Sequence, residues 1–143
     1  MVRRLKKNWR GIATVEMALV LPLLLLVTMG AIRYGWLFLK AQQITNAARM
    51  GARTAVLPDA TEDGVRANIL ALMTSARMEA SGYLVTFDPE DITSLDVNDP
   101  LTVRVTVPVA NVGLLQVPLF TAIEPNNGNW KIGAEVTMAK EGF

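Results

Sequence analysis

From Ile12 to Ile32 every residue is apolar or small except Thr14, Glu16 and Thr28. About 20 apolar residues are what a helix needs to cross the hydrocarbon of a bilayer. This run therefore constrains the chain more than any other feature: it predicts a membrane span, and the rest must fold on one side of it. Residues 1–10 carry Arg3, Arg4, Lys6, Lys7 and Arg10 and no acid. A basic flank of this kind favours a cytoplasmic N-terminus and a translocated C-terminal part. Arg33 and Lys40 follow the run at lower density, which weakens that orientation without reversing it. A cleaved secretory signal would have a shorter apolar stretch ending at a small-x-small site. Here the helical pattern continues through Trp36, Phe38, Ile44 and Ala48 with no turn residues to release the chain.

Composition narrows the chemistry. With 143 residues, 51% of them hydrophobic, and a net charge of +1, there is room for one modest folded domain. Cysteine and histidine are both absent, which removes disulfides, thiolate metal sites and the usual imidazole base. The sequence shows no phosphate loop, nucleophile elbow or metal-ligand cluster. The expectation is a protein that is not an enzyme, with no cofactor, no metal and no small-molecule substrate. The basic block reads as a membrane flank rather than a nucleic-acid patch.

Glu16 is the residue that a plain anchor does not explain. A carboxylate on a spanning helix costs roughly 2.5 to 3.5 kcal/mol at mid-bilayer on insertion scales. One reading has it snorkel to the headgroups, since it lies one turn inside the boundary; the other gives it a function. Its surroundings favour the second. Arg10-Gly11-Ile12-Ala13-Thr14-Val15-Glu16 resembles a prepilin-type cleavage site of the type IV pilin superfamily. There a membrane-embedded aspartic peptidase cuts after the glycine, and the acid is the fifth residue of the mature chain. The resemblance implies a cut between Gly11 and Ile12, with Glu16 as a registration device for subunit assembly. Glycine lets the backbone enter a peptidase cleft without a side chain in the way. The amine freed on Ile12 and the Glu16 carboxylate, each costly alone in a low dielectric, become tolerable as a pair within one subunit or between neighbours.

The segment from Ala13 to Leu26, including Pro22, is similar to the opening helix of TadE-like proteins of the tight-adherence pilus system. Gln43 to Ala55 matches that family's small-residue continuation, and Ala134 to Met138 its closing strand. The resemblance is close up to Leu57 and looser beyond. Met17 departs from it, because pilin-like substrates often carry an aromatic directly after the acid. What the resemblance implies is a minor pseudopilin, processed by a prepilin peptidase, that assembles or primes a type IV-like (Tad/Flp) pilus or secretion fibre. Its partners would be the membrane, the peptidase, other pilins and pseudopilins, and the assembly platform. Its place would be the bacterial inner membrane, single-pass, with the C-terminal domain periplasmic; the sequence does not say whether it enters the filament or only primes it. The sequence does not say whether such a fibre serves adhesion, secretion or DNA uptake. Two other readings stay open: an uncleaved signal-anchored envelope protein whose outer domain binds a partner, and a binding domain secreted after signal-peptidase cleavage.

The expected fold class is α+β, in three parts: a basic leader at 1–11, a transmembrane and projecting helix at 12–57, and an extracytoplasmic α+β domain at 58–143. A helix over 12–57 would be roughly 70 Å long, against about 30 Å of hydrocarbon. Pro22 removes a helical hydrogen bond and predicts a kink near Ala18 to Pro22. Ala47, Gly51 and Ala55 recur every fourth residue with Ala48 and Ala52 beside them. Such a stripe lets another element lie close, either the chain's own C-terminal domain, which is the simpler reading, or a neighbouring subunit.

Pro58 and Asp59 should break this helix. Asp59 or Thr61 can cap a second one, with Val65, Ile69, Leu72, Met73 and Ala76 on its buried face and Gly82 at its end. Period-two alternation then predicts about three antiparallel strands, around Tyr83–Phe87, Leu101–Val109 and Trp130–Met138. Pro108 suits an edge or a strand end. The acidic loop from Asp88 to Pro100 lacks the spacing of an EF-hand and reads as solvated turns. Gly113 to Phe120 is apolar for a connection, and Asn126 to Asn129 signals a turn.

Overall fold

The structure is a computed structural model that describes residues 9–114 and 130–142, with side chains from Ala13 onward. Arg3 to Lys7 of the basic leader, Leu115 to Phe120 of the apolar connection and the Asn126–Asn129 turn lie outside the described residues. Among the described residues the element order is α1 (Trp9–Ala55), α2 (Glu62–Ser75), β1 (Leu84–Asp88), β2 (Pro100–Pro108) and β3 (Lys131–Ala139), with a 3-10 turn at Val109–Asn111 after β2. This is the α+β arrangement of two helices and a three-stranded sheet that the patterning predicts. Packing divides the chain into two units, residues 1–35 and 36–143. The boundary drawn at residue 57 from sequence follows the end of the helix. Packing instead groups the second half of α1 with α2 and the sheet.

In the first unit α1 continues through Pro22 as α-helix. The side chains from Ala13 to Leu26 are all exposed, Leu19 by 74% and Leu23 by 65%. A helix that is apolar all round needs a surrounding that is not water. Thr28 turns its hydroxyl back onto the Leu24 carbonyl at 2.8 Å, satisfying that hydroxyl within the helix.

In the second unit a single core draws on every element. Ile44, Ala48 and Ala52 of α1, Val65, Ile69 and Met73 of α2, Phe87 of β1, and Leu101, Val103, Val105 and Val107 of β2 are buried together, with Ile132, Ala134, Val136 and Met138 of β3 packed against them. Each large aliphatic side chain so enclosed contributes about 1.5–3 kcal/mol relative to leaving it in water. The sheet order is β1-β2-β3, antiparallel throughout. β2 is central, and its inward residues alternate with exposed or half-buried ones, as period two requires. The register places Val105 opposite Val85 and Ala134, and Val103 opposite Phe87 and Val136. On the outer face the same register pairs Arg104 with Glu135 at 2.6 Å and Thr102 with Thr137 at 2.8 Å. A slip of one residue would reverse both faces at once. Pro108 is the last residue of β2, and Val109 resumes the ladder by donating its N–H to the Trp130 carbonyl at 3.0 Å.

Of the two candidate caps for α2, the structure uses Thr61, whose hydroxyl accepts from the Gly64 N–H at 3.2 Å. The helix then stops at Ser75, well before Gly82. Arg77 takes the left-handed conformation (φ 53), and two bonds close the end: Met78 N–H to the Met73 carbonyl at 2.8 Å and Arg77 N–H to the Thr74 carbonyl at 2.9 Å. This is a Schellman motif with arginine where glycine is usual. Met73 and Met78, the apolar pair that accompanies such a motif, are both buried; their burial offsets the roughly 1–2 kcal/mol that a side chain costs at this φ. Gly82 does adopt a left-handed φ of +66, but in the turn leading into β1.

Candidate functional site

Gly11 and Ile12 both fall within α1, so the candidate scissile bond belongs to the first turns of the helix. Ile12 and Glu16 are positions i and i+4, which share a helix face. An amine freed at Ile12 would therefore start on the face that carries Glu16. Glu16 is exposed and has no ionic or hydrogen-bond partner among the described residues. Val15, Met17, Leu19 and Val20 around it are exposed apolar side chains. The carboxylate thus stands as a lone acid on a surface suited to lipid or to other apolar helices, and a cation brought there by a partner would relieve its cost.

The small-residue stripe lies in the second unit. Ala47, Ala48, Ala52 and Ala55 are between 0% and 1% exposed, and Gly51 is buried with them. A Cβ on Gly51 would sit 2.6 Å from Ile69 Cδ1 on α2 and 3.6 Å from Val103 Cγ1 on β2. The partner of this stripe is accordingly the chain's own α2 and sheet, and smallness is what allows the helix to approach them.

Two carboxylates of the acidic loop bond within the loop itself. Asp91 accepts from the Thr93 hydroxyl at 2.6 Å and the Thr93 N–H at 2.9 Å, bonds that hold the Asp91 carboxyl below the usual aspartate range. Asp99 accepts from the Asp96 N–H at 3.1 Å. These are turn-forming bonds that turn the carboxylates onto the backbone.

Sequence reasoning gives Lys40 only as a flank charge and does not single out Arg77. In the fold Lys40 is 6% exposed. Its ammonium donates to the Ala76 carbonyl at 2.7 Å and lies 5.0 Å from the Trp36 ring centroid. Burial first, and then the Arg77 guanidinium, push its pKa below the usual lysine range. The i, i+4 spacing of Trp36 and Lys40 is a visible signal of their contact; the approach of Arg77 from another helix end is not.

Comparison with known proteins bears on the N-terminal part of the chain. The family model described as TadE-like protein matches residues 11–53. Comparisons with curated proteins and with solved structures give no match. Over residues 11–53, which hold the candidate cleavage site, the lone glutamate, the apolar run and most of the small-residue stripe, this chain is similar to the TadE-like family.

Proposed function

We propose that this chain is a minor pseudopilin: made as a precursor, cut between Gly11 and Ile12 by a prepilin peptidase, and used to assemble or prime a type IV-like (Tad/Flp) pilus or secretion fibre. One observation carries the proposal. The TadE-like match begins at Gly11, and five residues on, Glu16 stands exposed on an otherwise apolar helix. Among the described residues one helix is long and apolar enough to span a membrane, which supports a membrane anchor; the basic residues before it favour a cytoplasmic N-terminus and a second unit outside the cytoplasm. The role is one of assembly rather than catalysis, and its partners are other pilins, pseudopilins and the assembly platform. Cleavage supplies the cation that Glu16 lacks. The Ile12 amine of a neighbouring subunit, or of the same one, neutralises the carboxylate as the apolar helices pack.

The test is mass spectrometry of N-terminal peptides from membrane-derived protein, with and without the host's prepilin peptidase and beside Gly11→Ala. The expected result is a peptide beginning at Ile12 that disappears in both controls, with Glu16→Ala processed normally but failing to support fibre assembly. An unchanged N-terminus retaining the basic leader overturns the proposal in favour of an uncleaved anchor.

A further inference from the structure

We propose that a cleft at the end of α2, lined by Trp36, Lys40, Arg77 and Asn111, binds the phosphate of an anionic phospholipid headgroup. The cleft has a volume of about 280 Å³, and its two cations lack an acid: among the described residues no carboxylate pairs with Lys40 or Arg77. Lys40 spends one of its three protons on the Ala76 carbonyl, leaving donors for a further acceptor. The C-terminus of α2 presents roughly half a negative charge, less than the two full cations gathered there. Asn111 is held in place by donating to the Ser81 carbonyl at 2.9 Å, and Trp36 by donating Nε1–H to the Val112 carbonyl at 2.9 Å.

Arg77 occupies a backbone position that glycine would fill at lower cost, since its φ is 53. Backbone bonds close the helix end, so the guanidinium is not needed for that closure. Strain of this kind, held in place by the surrounding fold, points to the side chain as the reason for the residue. Depth along the chain identifies the anion's source. Trp36 follows Ile32, the last residue of the apolar run, by four positions, or about 6 Å of helix. The polar layer on each side of the hydrocarbon is of that thickness, about 5–8 Å, and tryptophan is enriched there. The inference rests on residues 12–32 spanning the membrane as proposed above; a phosphate at this depth then belongs to a lipid.

The experiment uses the full chain in detergent and native mass spectrometry to compare retention of phosphatidylglycerol with that of phosphatidylcholine, for wild type, Arg77→Gly, Arg77→Asn and Arg77→Lys. Glycine and asparagine both tolerate the left-handed φ, so thermal unfolding should show Arg77→Gly at least as stable as wild type. The basic leader is common to all four proteins and cancels in the comparison. The expected result is that preference for phosphatidylglycerol falls about fivefold in the glycine and asparagine variants and persists in Arg77→Lys. Equal preference in all four proteins overturns the proposal. So does protection of wild type, but not Arg77→Gly, by inorganic phosphate alone with no difference in lipid preference, because the site would then take a free anion.

Discussion

Residues 13–32 and residues 36–55 belong to one continuous helix, yet they bury their side chains by opposite rules. In the first stretch apolar side chains are exposed around the helix, Leu19 and Leu23 by 74% and 65%. In the second, Ile44, Ala48 and Ala52 are wholly buried, while Phe38, Asn46, Arg49 and Arg53 face outward. The first stretch has the uniform surface suited to lipid, the second the one-sided stripe that packs on a protein core. Both stretches are α-helical, so what separates them is the distribution of polar residues around the helix axis. Composition pooled over the whole helix would conceal that difference.

The contrast is most exposed to failure at its largest side chains. Ile69→Ala, in the fully buried cluster against which α1 packs, should lower the stability of the second unit by about 3 kcal/mol. Leu23→Ala should change it by less than about 0.5 kcal/mol. Urea unfolding of the detergent-solubilised chain, followed by the near-UV aromatic signal, measures both, because Trp36, one of its contributors, is fixed to the Val112 carbonyl. Equal losses would break the division into two units.

The glycines sharpen the same contrast. Gly51→Leu must force α1 away from Ile69 and Val103 and should cost about 3 kcal/mol. Gly30, around which an added Cβ meets nothing within 4 Å, should accept leucine with no loss of stability and gain up to about 1 kcal/mol of helix propensity. If Gly30→Leu folds normally but impairs fibre assembly, the first stretch packs on other subunits and not on lipid alone.

The smallest effect belongs to the solvent face of the sheet. Arg104 and Glu135 side chains are 55% and 50% exposed, so Arg104→Ala should cost less than about 1 kcal/mol in the same unfolding measurement. Raising the salt concentration should narrow the gap between wild type and variant, since an exposed pair is screened. A larger, salt-independent loss would mean that the pair, and not the apolar inner face, sets the register of β2 against β3.

Much of this architecture was legible residue by residue. The apolar run showed the long apolar helix, period-two alternation placed the three described strands to within a residue or so at their ends, and Thr61 stood among the two caps considered. The end of α2 was not legible. Glycine is the usual left-handed residue, and Gly82 drew the boundary, but burial of Met73 and Met78 allowed Arg77 to take that conformation instead. Nor did the sequence show where Lys40 goes: a lysine eight residues beyond an apolar run reads as a flank charge, and only the packing of α1 against the end of α2 buries it beneath the Ala76 carbonyl.

By itself, then, the sequence determined the features that depend on neighbours along the chain: the apolar helix, the candidate cleavage site with Glu16 in step behind it, the small-residue stripe and the alternation of the strands. These are local because helical and extended periodicities are properties of the backbone, and one side chain every turn or every second residue is enough to express them. The tertiary structure decided which surface covers the stripe, where α2 stops, and that Trp36, Lys40 and Arg77 share one cleft. Each of those depends on contacts between residues tens of positions apart, whose energies arise only when α1, α2 and the sheet exclude water together.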